Sequence, residues 1–87
     1  MDYEIDVTKL YSRRVIDPAT YKMITKTKAR VLTVEEYDER NDWCIENCEG
    51  KYEWVGGIVE RHFRYTSCKK ICFENEHDAM AFKLRWS

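Results

Sequence analysis

The sequence predicts an α+β fold: an antiparallel sheet of about four strands, two helices packed on one face of it, and a basic N-terminal arm. Three observations carry this. Tyr3, Ile5 and Val7 alternate with Glu4 and Asp6, the period of a half-buried strand, and β-rich runs recur at 52–55, 58–65 and 69–74. Two other stretches repeat apolar residues at helical spacing. Finally, 87 residues with 14% aromatics, three Gly and one Pro have the composition of one folded domain, not of a disordered tail. A chain of this size buries only about 60–65% of its unfolded surface, so large aromatic side chains must supply much of the core. The single domain, 1–87, divides into an N-terminal strand with a basic arm (1–30) and a β-α-β-β-α core (31–87).

Taken in order, 3–7 forms a strand at a sheet edge. Residues 9–30 have two readings. Asp17-Pro18 suits a helix N-cap followed by Pro at the first helical position, and equally the turn between strands at 13–16 and 21–26. Ala29 to Thr33 reads as a strand. Thr33-Val34-Glu35-Glu36 is a capping box that opens a helix, whose apolar stripe runs through Val34, Tyr37, Asn41, Cys44, Ile45 and Cys48 and which ends at Gly50. Gly56-Gly57 between two β-rich runs predicts a tight hairpin, with a bulge in one long strand as the rival. Val59, Phe63 and Tyr65 share a face with Arg61. After the strand at 69–74, with Ile71 and Phe73 inward, Asn75 caps a last helix whose stripe is Ala79, Phe82 and Trp86, flanked by Met80 and Leu84. Trp86 is expected to clamp the final turn, which would otherwise fray.

The net charge of -1 conceals three blocks. Residues 9–30 carry seven Lys/Arg and one acid, 35–53 carry eight acids and two bases, and 60–87 carry six bases and four acids. Such blocks steer partners of either sign, including a second copy of the chain. The opening MDYEIDV is acidic where a secretory leader is basic, and no run approaches the roughly 18 apolar residues of a membrane span. The expected setting is therefore a reducing cytoplasm, with four Cys as thiols and no membrane partner.

The C-terminal run Phe73-x4-Asp78-Ala79-Met80-Ala81-Phe82-Lys83-Leu84-Arg85-Trp86, with Asp42-Trp43-Cys44 upstream, resembles the ending of many short accessory proteins of T-even-like and marine tailed phages. The resemblance covers roughly residues 40–87; residues 1–30 have no counterpart in it. It implies a fold and a setting, the cytoplasm of an infected bacterium, and no catalytic residues. It also implies a role common among such proteins, non-enzymatic inhibition of a host enzyme, a restriction factor or a toxin.

The cysteines occur as Cys44-x3-Cys48 and Cys68-x3-Cys72. Zinc favours four soft ligands, but its structural sites use C-x2-C turns, whereas these pairs fall on a helical stripe and around a strand. Burial as small hydrophobes is the better reading. His62, between Arg61 and Phe63, could contact phosphate; His77 reads as a surface residue. No G-x-S-x-G, H-E-x-x-H, G-K-[ST] or G-x-G-x-x-G run occurs, so the chain is read as a non-enzyme without cofactor or metal. Two contact surfaces are expected. Glu35, Glu36, Glu39, Asp42 and Glu46 on the first helix would meet a basic protein such as a nuclease or toxin, by mimicking phosphate. Arg61, Arg64, Lys69 and Lys70 across adjacent strands, with Arg13, Arg14, Lys22, Lys26, Lys28 and Arg30 from the arm, would hold RNA or another single strand beside Tyr52, Trp54 and Tyr65. The expected function is that of a phage-encoded, antitoxin-like inhibitor acting by direct contact, with RNA binding as the alternative. A small core and an exposed sheet edge favour a homodimer.

Overall fold

The computed structural model describes residues 2–86 and has the α+β class that the sequence predicts. Three short strands form its central sheet: β1 (Tyr3–Asp6), whose place in the chain is followed by the long strands β2 (Lys9–Ile16) and β3 (Met23–Arg30); then, after helix α1 (Val34–Asn47), β4 (Tyr52–Val55); and, beyond the two-residue strands β5 (Val59–Glu60) and β6 (Tyr65–Thr66), β7 (Lys70–Phe73). Helix α2 (Glu76–Arg85) ends the fold. The sheets are separate. β7 lies between β1 and β4, both antiparallel to it, while β2 pairs only with β3 and β5 only with β6.

The expected Gly56-Gly57 hairpin does not form; the rival reading is the nearer one, since the pairing keeps one register across the break, from Val55↔Lys70 to Val59↔Thr66. β4 pairs with β7, and the hairpin sits further on, with Val59 opposite Thr66 and Glu60 opposite Tyr65. Gly56 serves a different purpose: its φ is +81°, and a Cβ there would collide with the Ser67 carbonyl oxygen, so only glycine suits the position. The expected strand at 29–33 ends earlier, at Arg30; Thr33 retains one bridge to Tyr65. Val31 to Val34 instead runs beside β6, where the Thr66 amide and hydroxyl both donate to the Leu32 carbonyl at 3.0 Å.

Both helices cover one face of the central sheet. Ile5, Trp54 and Ile71 share a register row, and so do Tyr3, Tyr52 and Phe73. Onto this face come Tyr37 of α1, 5.0 Å from Trp54 by ring centroids, and Phe82 of α2, 5.4 Å from Phe73. Asn41 latches α1 to β4, its Oδ1 accepting from the Tyr52 hydroxyl (3.2 Å) and the Trp54 indole (3.1 Å). The α1 stripe holds at Val34, Tyr37, Asn41, Cys44 and Cys48 but not at Ile45, and the inward face is wider than expected. Ile45 is 66% exposed, while Arg40 is buried and Trp43 packs edge-on to Phe82 and Trp86. The cause is α2, which takes the Arg40–Trp43 side of α1, so that α1 buries one side on the sheet and another on its fellow helix. Phe63, Met80 and Leu84 are likewise exposed.

The C-terminal motif is architectural. Phe73, Ala79 and Phe82 are buried in the core. Asp78 is 2% exposed and ties the two helices together: its Oδ2 accepts from the Gly50 amide at 2.9 Å and the Glu49 amide at 3.1 Å, just beyond the end of α1. Trp86 closes the core against Trp43 and Phe82, as a clamp on the last turn requires. All four cysteines are free thiols; Cys44, Cys68 and Cys72 are buried, and burial pushes the Cys44 thiol well above its ordinary range. Among the described residues no His/Cys/Asp/Glu cluster could hold a metal, and no helix is long and apolar enough to cross a membrane.

Replacing Asp78 by Ala leaves two backbone N–H groups without an acceptor and should cost about 3 kcal/mol. Trp86→Ala should cost about 3 kcal/mol through lost aromatic packing. Leu84→Ala, at an exposed site, should stay within about 0.5 kcal/mol. Urea denaturation checks all three; an unchanged midpoint for Asp78→Ala would contradict the architectural reading of the motif.

Candidate nucleic-acid interface

Residues 9–30 form a two-stranded ribbon. Of the two readings of Asp17-Pro18, the turn is the one realised. Asp17 organises it: its carboxylate accepts from the Ala19 amide (3.0 Å) and the Thr20 hydroxyl (3.1 Å), and its backbone exchanges hydrogen bonds with Tyr21 and Lys22. Tyr21 takes a φ of +56° to bring the chain back. Eight residue pairs then run in unbroken register from Ile16↔Met23 to Lys9↔Arg30. At about 3.4 Å per residue the ribbon is roughly 27 Å long. It stands out from the body. The radius of gyration is 16.1 Å, against about 12 Å for a compact chain of this length, and the longest dimension is 53 Å.

Register sorts the ribbon side chains onto two faces, since residues directly opposite one another share a face. One face carries Lys9 with Arg30, Tyr11 with Lys28, Arg13 with Lys26, and Val15 with Ile24; the other carries Leu10 with Ala29, Ser12 with Thr27, Arg14 with Thr25, and Ile16 with Met23. The first face is therefore a ladder of five cations around an exposed tyrosine. Arg13 and Lys26, like charges directly opposite, destabilise the pairing. Among the described residues neither they nor Lys28 has an ion-pair partner.

The root of this face is held by one carboxylate. Glu36 accepts from Arg30 Nη1 at 2.7 Å and Nη2 at 3.2 Å, and lies 3.6 Å from the Lys9 ammonium. The same Glu36 completes the α1 capping box, accepting from the Thr33 amide at 2.9 Å while its own amide donates to the Thr33 hydroxyl. The Arg30 fork, helped by the Thr33 hydrogen bonds, lowers the Glu36 carboxyl from its ordinary 4.5 to about 2.

The other expected cations are not assembled with the ribbon. Arg61 and Arg64 lie at the β5–β6 turn and face α1, where Arg61 forks onto Asp38 (3.1 and 3.2 Å) and Arg64 lies 3.8 Å from Glu35. Lys70, on β7, pairs with Glu4 at 3.6 Å. Arg61 and Arg64 occupy the turn of the hairpin, whereas Lys70 lies opposite Val55 well down its length, so the patch of Arg61, Arg64, Lys69 and Lys70 across neighbouring strands does not form; the displaced hairpin is the reason. Tyr52 and Trp54 face the core rather than a ligand, and Arg14 is on the ribbon's opposite face. The acidic surface of α1 is equally altered: Glu35, Glu36 and Glu39 are paired to Arg64, Arg30 and Arg85, which leaves Asp42 and Glu46 exposed and without an ion pair among the described residues. Sequence reasoning placed Arg13, Lys26, Lys28 and Arg30 on the interface but did not single out Lys9 and Tyr11. Alternation on either side of Asp17-Pro18 was the signal for them.

No family model matches the chain. Neither a curated protein nor a solved structure is significantly similar to it.

Because the folded pKa of Glu36 lies below the ordinary value, its interactions stabilise the fold fully above about pH 4.5 and are lost as pH falls toward 2. With half-exposed partners the contribution is about 2 kcal/mol. Glu36→Gln should thus melt lower than the wild type at pH 7, and the difference should close between pH 4.5 and 2. A gap independent of pH would show that the ribbon root is held by something else.

Proposed function

We propose that the chain is a binding module whose β2–β3 ribbon holds single-stranded nucleic acid, RNA foremost. The observation that carries this is the ribbon's Lys9–Arg30 face, on which Arg13, Lys26 and Lys28 surround Tyr11, clear of the body and of carboxylates beyond Glu36. Unpaired cations on a projecting ribbon attract the phosphate backbone. An exposed tyrosine among them offers a stacking surface that every base can use. Like-charge repulsion between Arg13 and Lys26, a cost to the free protein, is relieved when a polyanion binds.

The inhibitor reading has a narrower basis. The first turns of α1 are neutralised by the protein's own arginines, so a basic partner would meet chiefly Asp42 and Glu46. The two readings combine in an antitoxin-like protein that grips an RNase and its RNA together. The bacterial setting of either rests on the C-terminal motif. Self-association is proposed as well: β1 and β4 are the outer strands of the central sheet, and Leu10, Ile16 and Met23 are exposed on the ribbon's second face.

Fluorescence anisotropy with a labelled oligoribonucleotide tests the ribbon. Affinity should fall with salt, and Arg13→Ala/Lys26→Ala/Lys28→Ala should weaken binding and flatten the log–log salt slope by about 2, at roughly 0.7 per phosphate contact. Binding that is unchanged in the triple variant rejects the proposal. Asp42→Lys/Glu46→Lys should leave RNA affinity intact; an RNase-resistant stoichiometric protein captured by the wild type and lost in this variant would favour the inhibitor reading.

A further inference from the structure

A cleft of about 200 Å³ opens at the root of the ribbon, where the end of β1, the start of β2 and the two helices meet. Ile5, Val7, Phe82 and Trp86 make part of the lining apolar. Lys9, Arg40 and Lys83 add three cations. Asp6 is the one acid in the lining, and its carboxylate is taken up by the Thr8 amide (2.8 Å) and hydroxyl (2.6 Å).

Arg40 is the unusual member. It is 5% exposed, yet among the described residues it has no carboxylate partner. One guanidinium nitrogen donates to the Glu36 carbonyl at 3.0 Å, and the group lies 5.1 Å from the Trp86 ring centroid. Burial pushes its pKa down. Glu36 and Glu39 attract the guanidinium through space and Arg85 and Arg30 oppose them, but no carboxylate touches it; a buried cation without a contacting carboxylate is costly, and an anion delivered to the cleft offsets that cost. Lys83, exposed at the rim on α2, adds a second free donor. Lys9 belongs to both the cleft and the first rung of the ribbon's basic face, which makes the two surfaces continuous.

A ligand suited to this lining presents an apolar body to Ile5, Val7 and Phe82 and an anionic group to Arg40 and Lys83. Building on the nucleic-acid reading of the ribbon, we propose that the cleft binds a nucleoside monophosphate, either free or as the phosphorylated end of the strand that the ribbon holds. The ribbon then supplies affinity along the backbone and the cleft recognises an end.

Isothermal titration of the full-length protein with UMP, AMP, uridine and inorganic phosphate tests this. UMP or AMP should bind more tightly than uridine or phosphate. Lys83→Glu should weaken the monophosphate by at least about fivefold, as expected for a lost charge contact, with an unchanged melting temperature. Arg40→Gln is the less informative variant because that side chain also supports α1. Absence of UMP and AMP binding to about 10 mM, or affinity indifferent to Lys83→Glu, overturns the proposal. Arg13→Glu/Lys26→Glu separates it from the ribbon reading. Retained UMP affinity with lost oligonucleotide affinity supports two distinct sites; oligonucleotide binding without monophosphate binding rejects the cleft alone. An oligonucleotide that binds better with a terminal phosphate, in the wild type but not in Lys83→Glu, assigns the cleft to strand ends; equal binding of the two oligonucleotides, beside tight UMP, assigns it to the free nucleotide.

Discussion

Glu36 is the joint on which this architecture turns. Its carboxylate terminates the backbone of α1 through Thr33 and, in the same position, receives Arg30 and Lys9 from the two strands of the ribbon. A two-stranded ribbon has little stability of its own in water, and half of this one's cross-strand rows carry charge. With its root pinned to the end of a packed helix, the ribbon inherits the order of the core. The arrangement also explains why a cationic surface stays folded: the two rungs nearest the body have their charge balanced or diluted, and uncompensated repulsion is left to the outer rung of Arg13 and Lys26.

The rest of the charge pattern resolves by pairing. The acidic block falls on α1 and the C-terminal basic block falls on the β5–β6 turn and α2, so folding brings Asp38 to Arg61, Glu35 to Arg64 and Glu39 to Arg85. These pairs are exposed and individually weak. Their consequence is electrostatic rather than energetic: they neutralise the first turns of α1 against the β5–β6 turn and α2 and leave the field of the ribbon. A chain with a net charge of -1 thereby presents one concentrated cationic surface, at one end of a 53 Å molecule.

Local signals in the sequence were read well and long-range ones poorly, for physical reasons. Thr33 and Glu36 specify the start of α1, Asn75 that of α2, and both boundaries can be read from a few adjacent residues. The aromatic ending, Phe73 through Trp86, also announced its place in the core. Strand pairing was another matter. Gly56-Gly57 has the local appearance of a hairpin turn, but the glycine is demanded by a carbonyl eleven positions away at Ser67, and β4 finds its partner in β7. That error carried the supposed patch of Arg61, Arg64, Lys69 and Lys70 with it. Burial of Arg40 was not legible either, because it follows from the side of α1 that α2 occupies. In the ribbon, Asp17-Pro18 suits a helix start as well as a turn, and only the unbroken pairing of 9–16 with 23–30 distinguishes them.

On the proposed reading, nucleic acid lies along the Lys9–Arg30 face of the ribbon. Amide and side-chain chemical shifts recorded while an unlabelled oligoribonucleotide is titrated into isotopically labelled protein test it most directly. The largest shifts should fall on Tyr11, Arg13, Lys26 and Lys28, with Arg61 and Lys70 nearly still. Shifts concentrated on α1 or the β5–β6 turn, or none at all at saturating RNA, would contradict it.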